Sequence, residues 1–395
     1  MDAPLPEPVL TIARRLRERG IPSAVVGRAA RELCAGQTPR DVRLLCEARL
    51  EALTGLPHAI APPPGGVVRI GLPGLVLELE ATALSLEAAL RETTLSVTAI
   101  GFDVLADRWL DPLGGRADLA ARIARPAGGS RRLAEPLTAV ATIRLVAELD
   151  LEPTAELTAA LASAAGELPD ALGARLRREL DGLLSAPAPA RGLALLREAG
   201  LETALAPRAR PETAALVGRL PEDLVLRWTA WLRGGQAGRV LARLRVPRER
   251  SRQIERGLAL HPLDRVVLPR PSSVGKALRR LGSRQAFDGL QLLREHELEL
   301  TGEPGEGPRA RLAELRHIAD ELAGAEAPEL VLSGRDVMQA LGEPAGPRIG
   351  RALSYLADRV LEDPSQNTTD KLAAWLSRWM DADTDEGHPA RSRQE

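Results

Sequence analysis

Aromatic side chains make up only 2% of the 395 residues, and lysine occurs only at Lys276 and Lys371. With so few rings, the core must be built from Leu, Ala and Val, and recognition of single-stranded nucleic acid by base stacking is disfavoured. The basic charge is therefore almost all arginine, a bias that runs through the whole chain and reads as composition rather than as a site. Cysteine is equally scarce: Cys34 and Cys46 are separated by eleven residues, with no His or Cys cluster beside them. That excludes a disulfide framework and a Cys-based zinc site, and both read as small buried apolar residues in a reducing cytoplasm. Charge of one sign is missing too. The net charge is −1, so any nucleic-acid binding must come from a local patch. No apolar run approaches the roughly 18 residues that would cross a membrane, and no charged-then-apolar leader opens the chain. It reads as soluble and cytoplasmic, with no membrane partner. The histidines at 58, 261, 296, 317 and 388 are scattered, form no His–Asp phosphohydrolase pair, and read as structural or surface residues.

What is present favours helix. Hydrophobic residues account for 44% and charged residues for 27%, with Leu, Ala, Arg and Glu prominent. The length predicts roughly two to four units. Residues 8–20 carry apolar positions at helical spacing and stop at Gly20. Short runs of β character follow at Ser23–Gly27, Val67–Leu72, Leu75–Ala81 and Ser96–Leu105, with turn signals at Pro62–Gly66 and Pro73-Gly74. A helical stretch, Ala29–Ala35, separates the first run from the extended Asp41–Leu45. From residue 133 the pattern changes to Leu/Ala stretches at three-to-four spacing, broken by Pro and Gly, which reads as consecutive helices. Thr301–Pro308 reads as a loop. Trp228, Trp231, Trp375 and Trp379 lie at helical spacing and read as helix-packing residues.

The segment Val26–Arg43, VGRAARELCAGQTPRDVR, resembles the signature of the class II tRNA nucleotidyltransferase (CCA-adding enzyme) and bacterial poly(A) polymerase family. In that family a strand ends in Gly-Gly, a helix carries Val-Arg-Asp, and a Gly-x-x-Pro turn leads to Asp-x-Asp. Here Gly27, Arg31, Gly36, Pro39 and Asp41 fall on those positions, but Arg28 stands for the second glycine and Arg43 for the second aspartate. Asp111–Gly115 is similar to the turn closing the family's head domain. Arg175–Leu180 with Pro189 and Leu193–Gly200 resembles the neck. Leu332–Leu341, Gly346–Gly350, Val360-Leu361 and Asn367-Thr368 resemble the C-terminal body. The resemblance implies an α+β fold, with a nucleotidyltransferase-type mixed β-sheet head followed by an all-helical neck, body and tail. The expected boundaries are head 1–130, neck 131–205, body 206–325, tail 326–380, and a disordered end at 381–395.

The family's reaction is attack of an RNA 3′-hydroxyl on the α-phosphate of ATP or CTP, and it needs two divalent metals, Mg²⁺ in the family, held by carboxylates. Alternate strand residues share a face, so Asp-x-Asp aims both carboxylates at one place. With Arg43 the second carboxylate becomes a permanent cation, which repels a metal. Mg²⁺ binding is therefore expected to be weak or absent, with Asp41 the surviving metal-type carboxylate. Glu78 and Glu80 alternate on another strand, and either can join Asp41 or be a solvated surface acid. Gly27, Arg28, Arg31, Glu135 and Arg144 are remnants of the nucleotide site. At 92–99 the family's Arg pair, Asp and Asn are replaced while its apolar positions stay apolar. In the base-reading segment, Thr138 and Ala141 replace arginines and only Arg144 of the three remains. Scaffold positions survive while metal, phosphate and base contacts are lost together. This points to a pseudoenzyme that retains structured RNA, tRNA first, with ATP or CTP binding left open. Arg239, Arg243, Arg245, Arg248, Arg250, Arg252 and Arg256, set against only Glu249 and Glu255, form the expected phosphate-tracking patch or a solvated helical face. Arg279, Arg280 and Arg284 can extend it. The alternatives are an active transferase with a rebuilt site and a protein-interaction subunit.

Overall fold

Helix and strand alternate at the start of the chain because its apolar residues switch between a three-to-four and a two-residue period. The structure, a computed structural model, describes residues 5–54, 56, 59–60, 67–72, 75–164, 173–303, 306–324 and 330–386. His58, His388 and the turn segments 62–66 and 73–74 lie outside the described residues, as does 387–395. Helix α1 (Glu7–Glu18) buries Val9, Ile12, Ala13 and Leu16 along one stripe, and each large aliphatic group contributes about 1.5–3 kcal/mol. Gly20 ends it at φ +71°.

The head continues as β1 (Ser23–Val26), α2 (Gly27–Cys34), β2 (Asp41–Glu47), α3 (Leu50–Thr54), β3 (Ala59–Ile60), β4 (Val67–Leu72), β5 (Leu75–Thr82), α4 (Leu86–Arg91), β6 (Gly101–Asp103), β7 (Arg108–Leu110) and α5 (Gly115–Ala120). The strands form one sheet in the order β3-β4-β5-β2-β1-β6-β7. Within this sheet, among the described residues, β2 and β5 pair in parallel and the other neighbours antiparallel. One face packs Val25, Val42, Leu44, Leu77 and Ile70 against α1, α2 and α3. The other is covered only in part, where Leu86 and Leu90 of α4 pack on Ala24, Val26 and Leu45. Two expectations change here. Ser96–Leu105 is not a continuous strand: Ser96–Thr98 is a 3₁₀ turn and only Gly101–Asp103 pairs. The reason is local bonding, since the Thr98 hydroxyl donates to the Leu95 carbonyl at 2.7 Å and accepts from the Leu95 N–H at 3.3 Å. Cys46 is buried, but Cys34 at the end of α2 is only half-buried.

Among the described residues, the rest of the chain is mostly helical, with β8 (Ile123–Ala124) and β9 (Glu152–Pro153) forming a short parallel pair. Its helices are α6 (Pro136–Glu148), α7 (Ala155–Ala162), α8 (Gly173–Leu184), α9 (Pro189–Glu198), α10 (Leu201–Leu205), α11 (Thr213–Arg219), α12 (Leu224–Leu232), α13 (Ala237–Arg243), α14 (Arg248–Leu260), α15 (Leu263–Val266), α16 (Pro271–Leu281), α17 (Arg284–Thr301), α18 (Glu306–Gly324), α19 (Gly334–Leu341), α20 (Pro347–Glu362) and α21 (Thr369–Glu386). Helix α21 runs to Glu386, so residues 381–386, expected to be disordered, are helical. The chain divides into two compact units, Met1–Gly218 with Gly234–Val246, and Arg219–Arg233 with Pro247–Glu395. In the second unit Trp228 and Trp231 are fully buried with ring centroids 5.2 Å apart. There too, Glu297 is buried between Arg233 and His261, each at 3.1 Å. Helices α19, α20 and α21 pack around Val337, Leu356 and Leu372, with Trp375 and Trp379 partly buried against them. No helix among the described residues is long and apolar enough to cross a membrane.

Candidate functional site

Burial alternates along the first half of β2, so Val42 and Leu44 enter the core while Asp41 and Arg43 stand on the opposite face. The register of the neighbouring strands brings Glu78 beside Arg43 and Arg69 across from Glu78. At this end of the sheet lies an open cleft of about 630 Å³, lined by Asp41, Arg43, Glu78 and Arg69 together with Gly27 and Arg28 at the β1–α2 junction. Four of the residues expected from sequence, Gly27, Arg28, Asp41 and Glu78, are thus brought together.

The cleft is crossed by a chain of ion pairs. Arg43 Nη2 donates to Glu78 Oε2 at 2.8 Å, Arg43 Nη1 lies 3.5 Å from Glu80 Oε2, and Arg69 Nε donates to Glu78 Oε1 at 3.1 Å. Partial burial pushes the Glu78 carboxyl up, but hydrogen bonds from Arg43 and Arg69 outweigh it and hold the group below its ordinary value. Arg69 was not singled out from the sequence. Its signal was the strand alternation opposite Glu78.

An oxygen-coordinated divalent ion needs several carboxylate or carbonyl ligands facing one point. Here Glu78 and Glu80 face Arg43, and both Glu78 oxygens accept from guanidinium groups. Among the described residues no three His, Cys, Asp or Glu side chains gather within reach of one ion. The donor set does not suit a two-metal centre.

The nucleotide-site candidates have the following surroundings. Gly27 adopts φ +70° where strand turns into helix. Arg28 is 71% exposed and pairs with Glu32 at 2.7 Å. Arg31 is half-buried, and its Nε has no hydrogen-bond partner among the described residues. Burial lowers its guanidinium from the ordinary value, with Glu148 opposing. Arg144 runs from α6 to α8, where its Nε donates to Glu179 at 2.7 Å, and it also pairs with Glu148. A Cβ on Gly182 would stand 2.5 Å from the Arg144 Cδ, so that glycine makes room for the strut. Glu135 sits apart at the start of α6 and accepts from the Thr138 hydroxyl at 3.1 Å. The Asp111–Gly115 turn is retained for a structural reason. The Asp111 carboxylate accepts from the Gly115 N–H at 2.6 Å, and a Cβ on Gly115 would stand 2.0 Å from the Ser96 carbonyl oxygen.

The arginine run spans two helices and the boundary between the two compact units. Arg239 and Arg243 belong to α13 and Arg245 follows it. Arg248, Arg250, Arg252 and Arg256 belong to α14, and the boundary between the compact units falls at Val246/Pro247. Proline cannot continue α13 and disfavours helix at the residue before it. The expected extension is engaged elsewhere: Arg279 pairs with Asp358, and Arg284 with Asp288 at 2.7 Å and Asp320 at 2.8 Å.

A mixed sheet with a glycine-led strand–helix junction beside an acidic strand, followed by consecutive helices, defines a nucleotidyltransferase-type head on helical units. The family description "tRNA nucleotidyltransferase domain 2 putative" matches residues 224–376, and "Probable RNA and SrmB- binding site of polymerase A" matches 149–213. An A-adding tRNA nucleotidyltransferase of Deinococcus radiodurans is 29% identical over 75% of this chain and 80% of its own length. The fold is that of the Bacillus stearothermophilus CCA-adding enzyme in complex with CTP, at TM-score 0.66 and 23% identity over 96% of this chain and 98% of that one. The Thermotoga maritima CCA-adding enzyme complexed with tRNA has TM-score 0.67 and 17% identity, over 95% of this chain and 96% of that one. The matches support the class II tRNA nucleotidyltransferase and poly(A) polymerase family as the one this chain resembles.

Proposed function

We propose that this chain is a family member whose head no longer performs metal-dependent nucleotide addition and whose helical units still hold structured RNA, tRNA first. The observation that carries it is Arg43, a guanidinium bonded to Glu78 and within 3.5 Å of Glu80, where the family pattern has a carboxylate. A fixed cation there opposes a divalent ion, and it takes up the carboxylates of Glu78 and Glu80 that would otherwise face one. RNA retention is supported by the tRNA bound to the Thermotoga relative and by the RNA-binding family description over 149–213. We assign residues 1–130 to the head, 131–205 to the neck, 206–325 to the body and 326–380 to the tail, in a protein of the cytoplasm.

The test is incorporation of labelled ATP and CTP into a tRNA lacking its 3′ end, with Mg²⁺ or Mn²⁺, beside retention of that tRNA against random RNA. The expected result is specific retention without incorporation. Incorporation that Asp41→Ala abolishes would establish an active, rebuilt site instead. Equal weak retention of both RNAs would remove the RNA half of the reading.

A further inference from the structure

The second compact unit holds a pocket of about 180 Å³ among α12, α14 and the start of α17. Leu226, Thr229, Gly257 and Leu290 are buried at its floor, while Gln253 and Gln285 are exposed at its rim. A Cβ on Gly257 would stand 3.2 Å from the Thr229 side chain, and one on Gly289 would stand 3.2 Å from Leu226 Cδ2. A side chain at either glycine would displace the pocket's own walls.

The lining says what such a pocket refuses. Among the described residues it contains no arginine or lysine, in a chain that carries 53 of them. A phosphate or carboxylate ligand has no counter-ion here. Two helices start at the pocket, but both starts are capped: Asp223 Oδ1 accepts from the Leu226 N–H at 3.0 Å, and Ser283 Oγ accepts from the Ala286 N–H at 3.1 Å. Neither amide is left for an anion, and the Asp223 carboxylate repels one. The groups that stay open are neutral. The side-chain amides of Gln253 and Gln285 make no hydrogen bond among the described residues, and each offers donors and an acceptor. The Thr229 hydroxyl, 1% exposed, donates to the Val225 carbonyl at 2.8 Å, which leaves its oxygen an acceptor at the floor.

We propose that this pocket binds a small uncharged ring bearing both hydrogen-bond donors and acceptors on its edge, the chemistry of a ring carboxamide or a free nucleobase. Leu226 and Leu290 give the ring an apolar surface, the glutamine amides take its polar edge, and Thr229 Oγ1 accepts from a donor at the inner end. Apolar walls with a few placed polar groups are the general form of a small-ligand site. A cavity of about 150 Å³ holds benzene, so this one has room for a ring of one or two cycles. The proposal uses no residue of the head and does not rest on the RNA-binding reading.

The test titrates the full chain with nicotinamide and with adenine by ligand-detected NMR, with toluene as the apolar control. At least one of the two polar rings should bind with a Kd of about 0.1–1 mM, the range open to a ligand of about ten heavy atoms. Gln253→Ala with Gln285→Ala, both at exposed positions, should melt like the native chain and bind about tenfold more weakly. Ala286→Leu fills the pocket from its half-buried wall and should abolish binding. Equal affinity in the glutamine double variant overturns the proposal, as does toluene binding as tightly as the polar rings, or no binding of either ring at about 10 mM. Competition adds a last arm. Adenosine 5′-monophosphate or a short adenine oligoribonucleotide should displace the bound ring no better than adenine does. Displacement at far lower concentration would mean that the pocket receives a base of a phosphorylated chain, and the small-ligand assignment would fall.

Discussion

The Arg43→Asp substitution restores the family's paired carboxylates and isolates what the arginine does. Arg43 is 49% exposed, and its partners Glu78 and Glu80 are 21% and 42% exposed. Such partly exposed pairs are each worth at most about 1 kcal/mol, so losing both removes about 1–2 kcal/mol. A carboxylate on β2 one strand spacing, about 5 Å, from Glu78 adds repulsion of about 1 kcal/mol at water-like dielectric. The variant should therefore be about 2–3 kcal/mol less stable at low salt, which on a unit of about 200 residues lowers the melting temperature by about 5–10 °C. It should also gain something the native chain lacks. Asp41, Glu78 and the introduced carboxylate then face one another, and 10 mM Mg²⁺ acting on a site of about 1 mM affinity restores about 1.4 kcal/mol. Thermal unfolding in EDTA, in Mg²⁺, and in NaCl of matched ionic strength separates the two effects, since simple screening relieves repulsion in either salt. Stabilisation of the native chain by Mg²⁺ beyond matched NaCl would refute the reasoning, because Arg43 would then not be excluding the ion. A variant that melts like the native chain in all three conditions would show that the ion-pair chain contributes nothing.

Much of the head was legible because its rules are local. The spacing of Val9, Ile12 and Leu16 predicts α1, and alternation predicts Asp41 and Arg43 on one face of a strand. Two residues separate Leu72 from Leu75, so a hairpin of the two apolar runs pairs Leu72 with Leu75 and hence Arg69 with Glu78, as observed. The Arg69 contact follows from that spacing alone. Pairing of β2 with β5 does not, because a parallel contact across some thirty residues leaves no periodic trace in either strand. That pairing turns the Arg43 substitution from a missing ligand into a bonded counter-ion. The arginine run shows the limit of composition: it counts seven positive charges together, while the break at Val246-Pro247 places them on separate elements in different compact units. Arg144 was legible as a survivor of the family motif, but its role as a strut depends on the space left by Gly182.

Two further predictions concern buried ionisable groups. Burial pushes the Cys46 thiol up to about 12, so iodoacetamide at pH 8 should leave Cys46 unlabelled in the native protein and label it in urea. Native labelling at that position would contradict the packing of β2. In the second unit, Glu297 is 3% exposed between Arg233 at 1%, His261 at 6% and Arg294 at 4%. Replacing it with Gln leaves buried cations short of a partner and should destabilise the unit by about 3–5 kcal/mol, measurable by denaturant unfolding. Burial pushes its carboxyl up, but the His261 hydrogen bond and the charges of His261 and Arg233 outweigh that and hold it far below the usual carboxylate range. A depressed folded-state pKa stabilises fully above the unfolded value of about 4.5, and that contribution is lost as pH falls toward the folded value. The gap between native and Glu297→Gln should therefore be widest above about pH 5 and narrow steadily below pH 4.5. A gap that widens on acidification would mean that the network is held by something other than an ionised Glu297.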